Sequence, residues 1–112
     1  MSLVRKIFKV KIYFQGTSGP YKSRPVLVID YDQVNALYTI AEITSVPPNL
    51  AGYYDKFKEP IIHWRQCGLV KASYVKCKNI HRVEKSRLFE QIGIINADDF
   101  INIVEKIIEY NL

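Results

Sequence analysis

Cysteine is scarce in this chain, two in 112 residues, which excludes a disulfide-stapled scaffold and makes reduced thiols the expectation, with Cys77 a small core residue. No apolar run approaches the roughly 18–20 residues needed to cross a bilayer, so no membrane partner is expected. Charged or polar residues recur every few positions through Lys11, which is not the pattern of a signal peptide. Met1-Ser2-Leu3 could be vector-derived, and the cytoplasm is the default location. A Gly-rich phosphate loop, a nucleophile elbow and a paired-carboxylate pattern are all missing, which removes the commonest nucleotide-binding and hydrolytic motifs. Acids are missing too where bases gather. Residues 1–24 hold six basic side chains and no acid, and residues 65–87 hold seven against Glu84 alone.

What is present is a mixed composition, 48% hydrophobic, with a formal charge of +5. That length and apolar content predict one folded domain over residues 1–112 with a single core. Thirteen of the sixteen cations lie in the two basic blocks. A fold that joins the blocks makes one positive face suited to a polyanion, either nucleic acid or an acidic protein segment. Tyr13, Tyr21 and Tyr74 are interleaved with these cations and offer rings on which bases can stack.

Period-two patterning runs through Val10, Ile12 and Phe14, as in a half-buried strand with Lys9 and Lys11 on its outer side. Residues 15–23 read as a loop, and Pro25 to Asp30 as a central strand that Pro25 opens. A turn at residues 32–35 leads to a returning strand, Leu37 to Ile43. The segment from Val46 to Glu59 is irregular by composition and of a length that is usually functional. Short strands are expected at 61–64, 73–80 and 89–95, the second presenting Tyr74, Lys76 and Lys78 on one side. A final helix is predicted after an Asn96 cap. Asp98 and Asp99 stand in its first turn, and Phe100, Ile103, Val104, Ile107 and Ile108 form its apolar stripe.

Polar side chains stand where two of these strands meet loops. Arg24 opens one, while Thr44 and Ser45 close the next. If the two are antiparallel neighbours, a guanidinium and two hydroxyls converge at one sheet edge, a site for a phosphate. His63-x₃-Cys67 and Cys77-x₃-His81 mimic a zinc pattern, yet strand residues four apart lie roughly 13 Å from each other. Zinc holds its ligands at about 2.0–2.3 Å, so no metal site is expected. Among the aromatics Tyr53, Tyr54, Phe57 and Trp64, Trp64 is the one assigned to the core.

The run Lys22-Ser23-Arg24-Pro25-Val26-Leu27-Val28-Ile29 resembles the Arg-Pro-Val-Leu-Val strand of the PemK/MazF toxins, and Ile43-Thr44-Ser45 the Ile-Thr-Ser that ends their next strand. Trp64, Gly68-Leu69, Ser73-Tyr74-Val75, Lys85-Ser86-Arg87-Leu88 and Ile92-Gly93 are similar to that family's second half, in the same order. The resemblance spans roughly Val10 to Tyr110. It implies an α+β fold, a small twisted antiparallel β-barrel of the PemK/MazF/CcdB type with a C-terminal helix, and a homodimer. It also implies cofactor-free, metal-independent cleavage of single-stranded RNA to 2′,3′-cyclic phosphate ends, and an acidic antitoxin as partner. Arg24 matches the family's catalytic arginine and Thr44 its catalytic threonine. Ser45, Lys22, Lys76, Lys78 and Tyr74 are the expected RNA and phosphate contacts, with strands 9–13 and 74–78 as the floor and residues 46–59 as a gate.

Two positions depart from the pattern. Ile7-Phe8 stand where many members have Gly-Asp, and Lys76 and Lys78 stand where some carry an Arg-x-Asp pair whose acid is proposed for proton transfer. The general base is therefore open, with His81 the acid/base candidate against a solvated strand-end histidine. Two alternatives of the same fold follow: a CcdB-like gyrase inhibitor, and a binding module that has lost the chemistry.

Overall fold

The computed structural model describes the backbone of residues 2–15, 18–49 and 53–112, and the side chains outside 12–22 and 50–54. Six strands and one helix make up the regular structure: β1 Lys6–Gln15, β2 Ser18–Asp32, β3 Leu37–Thr44, β4 Lys58–Pro60, β5 Tyr74–Val83, β6 Leu88–Ile94 and α1 Ala97–Asn111. They form one antiparallel sheet in the order β4-β5-β3-β2-β1-β6. Among the described residues no ladder joins β4 to β6, so the expected barrel is an open sheet rather than a closed one.

Alternation along the strands sorts the apolar side chains onto two sides. Ile7, Leu27, Ala41, Ile43, Val75 and Cys77 face one side and pack with Ile95, Ile103 and Ile107, so α1 covers this half of the core. Phe8, Val10, Val26, Val28 and Ile40 face the other, against Leu3, Tyr38, Val83 and Leu88. Burial on both sides explains why residues 26–28 are apolar without interruption, since a strand with two dry faces has no polar positions to offer. Burial raises the Cys67 thiol pKa and pushes that of Cys77 up to about 12.

Several expectations change. The predicted loop at 15–23 is mostly strand, because β1 runs to Gln15 and its backbone pairs through Tyr13↔Tyr21 to Gln15↔Ser18. Pro25 therefore lies inside β2, not at its start. The position tolerates it because the register with β3 begins only at Val26↔Glu42, leaving Pro25 paired on one side alone. The strand expected at 61–64 is displaced: β4 precedes it and Trp64–Cys67 is a 3₁₀ turn. Trp64 does pack against the core, with the Arg65 guanidinium 5.0 Å from its ring. The expected irregular stretch ends in a 3₁₀ turn at Tyr53–Phe57 and in β4. Its described parts are tied down, as Lys58 Nζ lies 3.0 Å from Asp55 Oδ1 and donates to the Val46 carbonyl at 3.2 Å.

The helix starts as predicted, with Asn96 Oδ1 accepting from the backbone N–H of Asp98 at 2.9 Å and of Asp99 at 3.3 Å. Ile108 leaves the stripe, however, and is 53% exposed. Asp99 does more than complement the dipole. It is buried, and its Oδ2 accepts the His63 backbone N–H at 2.8 Å and faces His63 Nδ1 at 3.2 Å, pinning the turn after β4 to the start of α1. Two glycines lock β6 onto that same turn. A Cβ on Gly68, at φ +84°, would sit 2.6 Å from the Ile92 carbonyl oxygen, and one on Gly93 would collide with the Cys67 carbonyl. Gly68-Leu69 and Ile92-Gly93 are thus two sides of one close contact.

Candidate active site

The β2–β3 hairpin sets the site. Asp32 closes its turn, Oδ1 accepting from the backbone of Val34 at 2.9 Å and Asn35 at 3.3 Å, and Oδ2 from Asn35 Nδ2 at 2.8 Å. These hydrogen bonds, the Asn35 side chain first, lower the Asp32 carboxyl pKa below its usual value. From the turn the register runs Tyr31↔Tyr38, Val28↔Ile40 and Val26↔Glu42. The β2–β3 register ends there, and Arg24 on β2 and Thr44 at the end of β3 lie just beyond it. Both line one open depression of about 310 Å³ with Ser45, Val70, Lys71 and Ser73. The convergence expected from the sequence is therefore present in the geometry. Thr44 Oγ1 accepts the Val46 backbone N–H at 3.1 Å, and the hydroxyl keeps its own proton to donate.

Register on the other side of β3 adds β5. Thr44 pairs with Tyr74, Ile43 with Val75, and Ile40 with His81. Between Ala41↔Ile80 and Ile43↔Val75 the ladder slips, so Lys76, Cys77 and Lys78 are extra residues with no counterpart on β3. The slip carries Lys76 and Lys78 out of the Arg24 depression. They line a second one, of about 210 Å³, with Asp55, Phe57, Lys58 and Asn79. Lys58 and Lys76 are directly opposed in the β4–β5 register, and the Lys78 ammonium sits 5.4 Å from the Phe57 ring centroid.

The expected RNA floor is only half present on this side of the sheet. Val10 pairs with Arg24 and shares its side, so Lys9 and Lys11 point to the opposite one. Lys9 forms a salt bridge with Glu90 at 3.2 Å, and β1 is separated from β5 by two strands. The side chains of Lys22, Tyr13 and Tyr21 lie outside the described residues.

His81 stands apart from Arg24 and Thr44. It is half exposed, and its Nε2 is 3.1 Å from Glu42 Oε2. Asn79 Nδ2 reaches the same oxygen at 3.4 Å. Sequence reasoning passed over Glu42, Lys71 and Ser73. The signal for Glu42 was its place two residues before Thr44, which puts both on one side of a strand. Lys71 and Ser73 reach the depression only through the chain's path after Gly68, and that path has no periodicity to read. Among the described residues no group of three or more His, Cys, Asp or Glu side chains could hold a metal ion, and both cysteines are free and buried. No described helix is long and apolar enough to cross a membrane.

Known proteins were then compared with this frame. No curated protein sequence matches. Solved structures do. The Mycobacterium tuberculosis toxin MazF-mt6 aligns at 26% identity over 96% of this chain and 98% of its own, with a TM-score of 0.70. The MazE-MazF structure (Form-III) from Deinococcus radiodurans aligns at 21% identity over 96% of this chain and 94% of its own, with a TM-score of 0.67. An endoribonuclease in complex with its cognate antitoxin, from a mycobacterial species, shares 14% identity over 96% of this chain and 89% of its own, with a TM-score of 0.62. The profile of PemK-like, MazF-like toxins of type II toxin-antitoxin systems matches residues 5–110, and the chain belongs to that family.

Proposed function

We propose that this chain is a metal-independent endoribonuclease toxin. It cleaves single-stranded RNA to 2′,3′-cyclic phosphate ends and is neutralised in the cytoplasm by an acidic antitoxin segment. The observation that carries the reading is the convergence of Arg24, within β2, and Thr44, at the end of β3, on one depression. In the reaction the ribose 2′-oxygen bonds to phosphorus, the bond to the 5′-oxygen breaks, and one proton leaves the attacking oxygen as another reaches the departing one. Charge builds on the non-bridging oxygens. The Arg24 guanidinium, permanently charged and fork-shaped, meets two of them, and the Thr44 hydroxyl donates to the same group. Arg24 acts from within β2 and Thr44 from the end of β3, so their positions are fixed before substrate arrives.

Ser45 and Lys71 extend the phosphate contact at the mouth, and Tyr74, opposite Thr44, offers a ring for a neighbouring base. Lys76 and Lys78, one depression away, serve RNA phosphates beyond the scissile one, and Lys22 is a further phosphate contact. The antitoxin is acidic because it competes for this positive surface. The protein acts as a homodimer of one-domain subunits. The test is incubation of a long single-stranded RNA with the protein in EDTA, beside Arg24→Ala and Thr44→Ala. Discrete fragments with 2′,3′-cyclic phosphate ends, slowed roughly 10²–10³-fold in Arg24→Ala, are expected. RNA that is bound and left intact by the wild-type protein would overturn the reading.

A further inference from the structure

Among the described residues no carboxylate or imidazole lines the depression that holds Arg24 and Thr44, so the proton of the attacking 2′-hydroxyl has no acceptor there. The strand alternation points to where a base stands. Ile40 packs on one side of β3 while Ala41 and Ile43 pack on the other, so Glu42 and Thr44 share the side of Ile40. On β2 the same side carries Val26 and Val28, and therefore Arg24. Glu42 is opposite Val26, which makes it the diagonal neighbour of Arg24. Such neighbours lie roughly 7–8 Å apart, within reach of long side chains. Along β3, Glu42 and Thr44 are separated by about 7 Å. Glu42 thus lies on the same side of the sheet as Arg24 and Thr44, two residues along the strands from each.

We propose that Glu42 is the general base of this chain, a reading that rests on the site being the RNA-cleaving one described above. The carboxylate is only 16% exposed and is held from one edge alone: His81 Nε2 at 3.1 Å and Asn79 Nδ2 at 3.4 Å both approach Oε2, and Oε1 takes part in neither contact. Oε1 accepts the proton of the 2′-hydroxyl as the 2′-oxygen bonds to phosphorus, while the departing 5′-oxygen takes a proton from water. The surroundings suit an anionic base. His81 and Asn79 hold Glu42 beside the bulge that carries Lys76 and Lys78, and among the described residues the only carboxylate lining either depression is Asp55, which is paired with Lys58. His81 and Asn79 are positioning residues: they hold the carboxylate by Oε2 and leave Oε1 to take the proton. Where Lys78 occupies the place of an acid in some family members, the carboxylate is supplied here from the adjacent strand.

The experiment measures single-turnover cleavage and RNA binding for wild type, Glu42→Gln and Glu42→Ala, with and without added acetate. Loss of a general base lowers the rate by roughly 10²–10⁴-fold. Glu42→Gln should show that loss while binding RNA as tightly as wild type or more so, since a negative charge has left a basic surface. Acetate should restore part of the Glu42→Ala rate and none of the Arg24→Ala rate. Cleavage by Glu42→Gln within about threefold of wild type, or a slow Glu42→Ala that acetate leaves unchanged, would overturn the assignment. Wild-type protein that binds RNA without cutting it would instead remove the nuclease reading and this base with it.

Discussion

Single side chains carry consequences that ordinary measurements can read. Burial holds the Cys77 thiol at about 12 and raises Cys67 above its usual 9.0, so at neutral pH both stay protonated and inaccessible. The native protein should resist a thiol reagent during a period in which the urea-unfolded chain titrates both cysteines. Rapid modification of either in the folded state would contradict this packing. Gly93 offers a sharper case, because a methyl group there meets backbone, the Cys67 carbonyl, which no rotamer change can relieve. Gly93→Ala should destabilise by about 1–3 kcal/mol in urea unfolding, as overpacked interiors do. This contact shows what a sequence conceals. Gly68 and Gly93 are both visible in the string, but that each exists to admit the other's neighbour is a tertiary fact. Arg24 and Thr44 were legible for the opposite reason: a polar residue beside an apolar run is visible locally, and only the pairing of two adjacent strands was needed to join them.

Among the elements, those written by periodicity came out close to their predicted limits, namely β3, the core of β2, and α1 with its Asn96 cap. Those decided by partners did not. The 15–23 stretch looks like a loop by its glycines and serine, but pairing with β1 makes most of it strand. The slip in β5 that moves Lys76 and Lys78 away from Arg24 depends on a ladder between distant segments, and alternation alone placed them on the right side without placing them in the right depression. The segment before β4 is anchored by Asp55, whose carboxyl is held below its ordinary 3.8 by the Lys58 side chain first and the Asn49 backbone N–H second. A depressed carboxylate contributes stability that is complete above its unfolded-state value and fades as pH falls through the folded one. Wild type should therefore be more stable than Asp55→Asn at neutral pH, with the gap closing under acid conditions below 3.8. Thermal melts of the two proteins across that range would show it, and a gap that persists in acid would argue against the pairing.

At the scale of the whole molecule, charge is divided by the sheet more than the sequence suggests. Two basic blocks were read as one surface. Instead Lys9 and Lys11 face away from Arg24, and Lys9 is neutralised by Glu90. On the proposed reading the RNA-facing side relies on Arg24, Lys71, Lys76 and Lys78. Each phosphate contact to a single strand contributes about 0.7 to the slope of log affinity against log salt. The double change Lys76→Ala and Lys78→Ala should lower that slope by up to about 1.4, while Lys9→Ala leaves it in place. Equal effects from Lys9→Ala would mean that RNA crosses the other side. The two dry faces of β2 have one more implication. A strand apolar on both sides has no pattern that forbids a one-step slide, because either set of side chains can be buried. Alignment of the hairpin must then come from its closed end, where Asp32 grips Val34 and Asn35. That small polar knot acts as the ruler from which Arg24 is measured off against Thr44, so the spacing of the candidate site is set at the opposite, closed end of the hairpin.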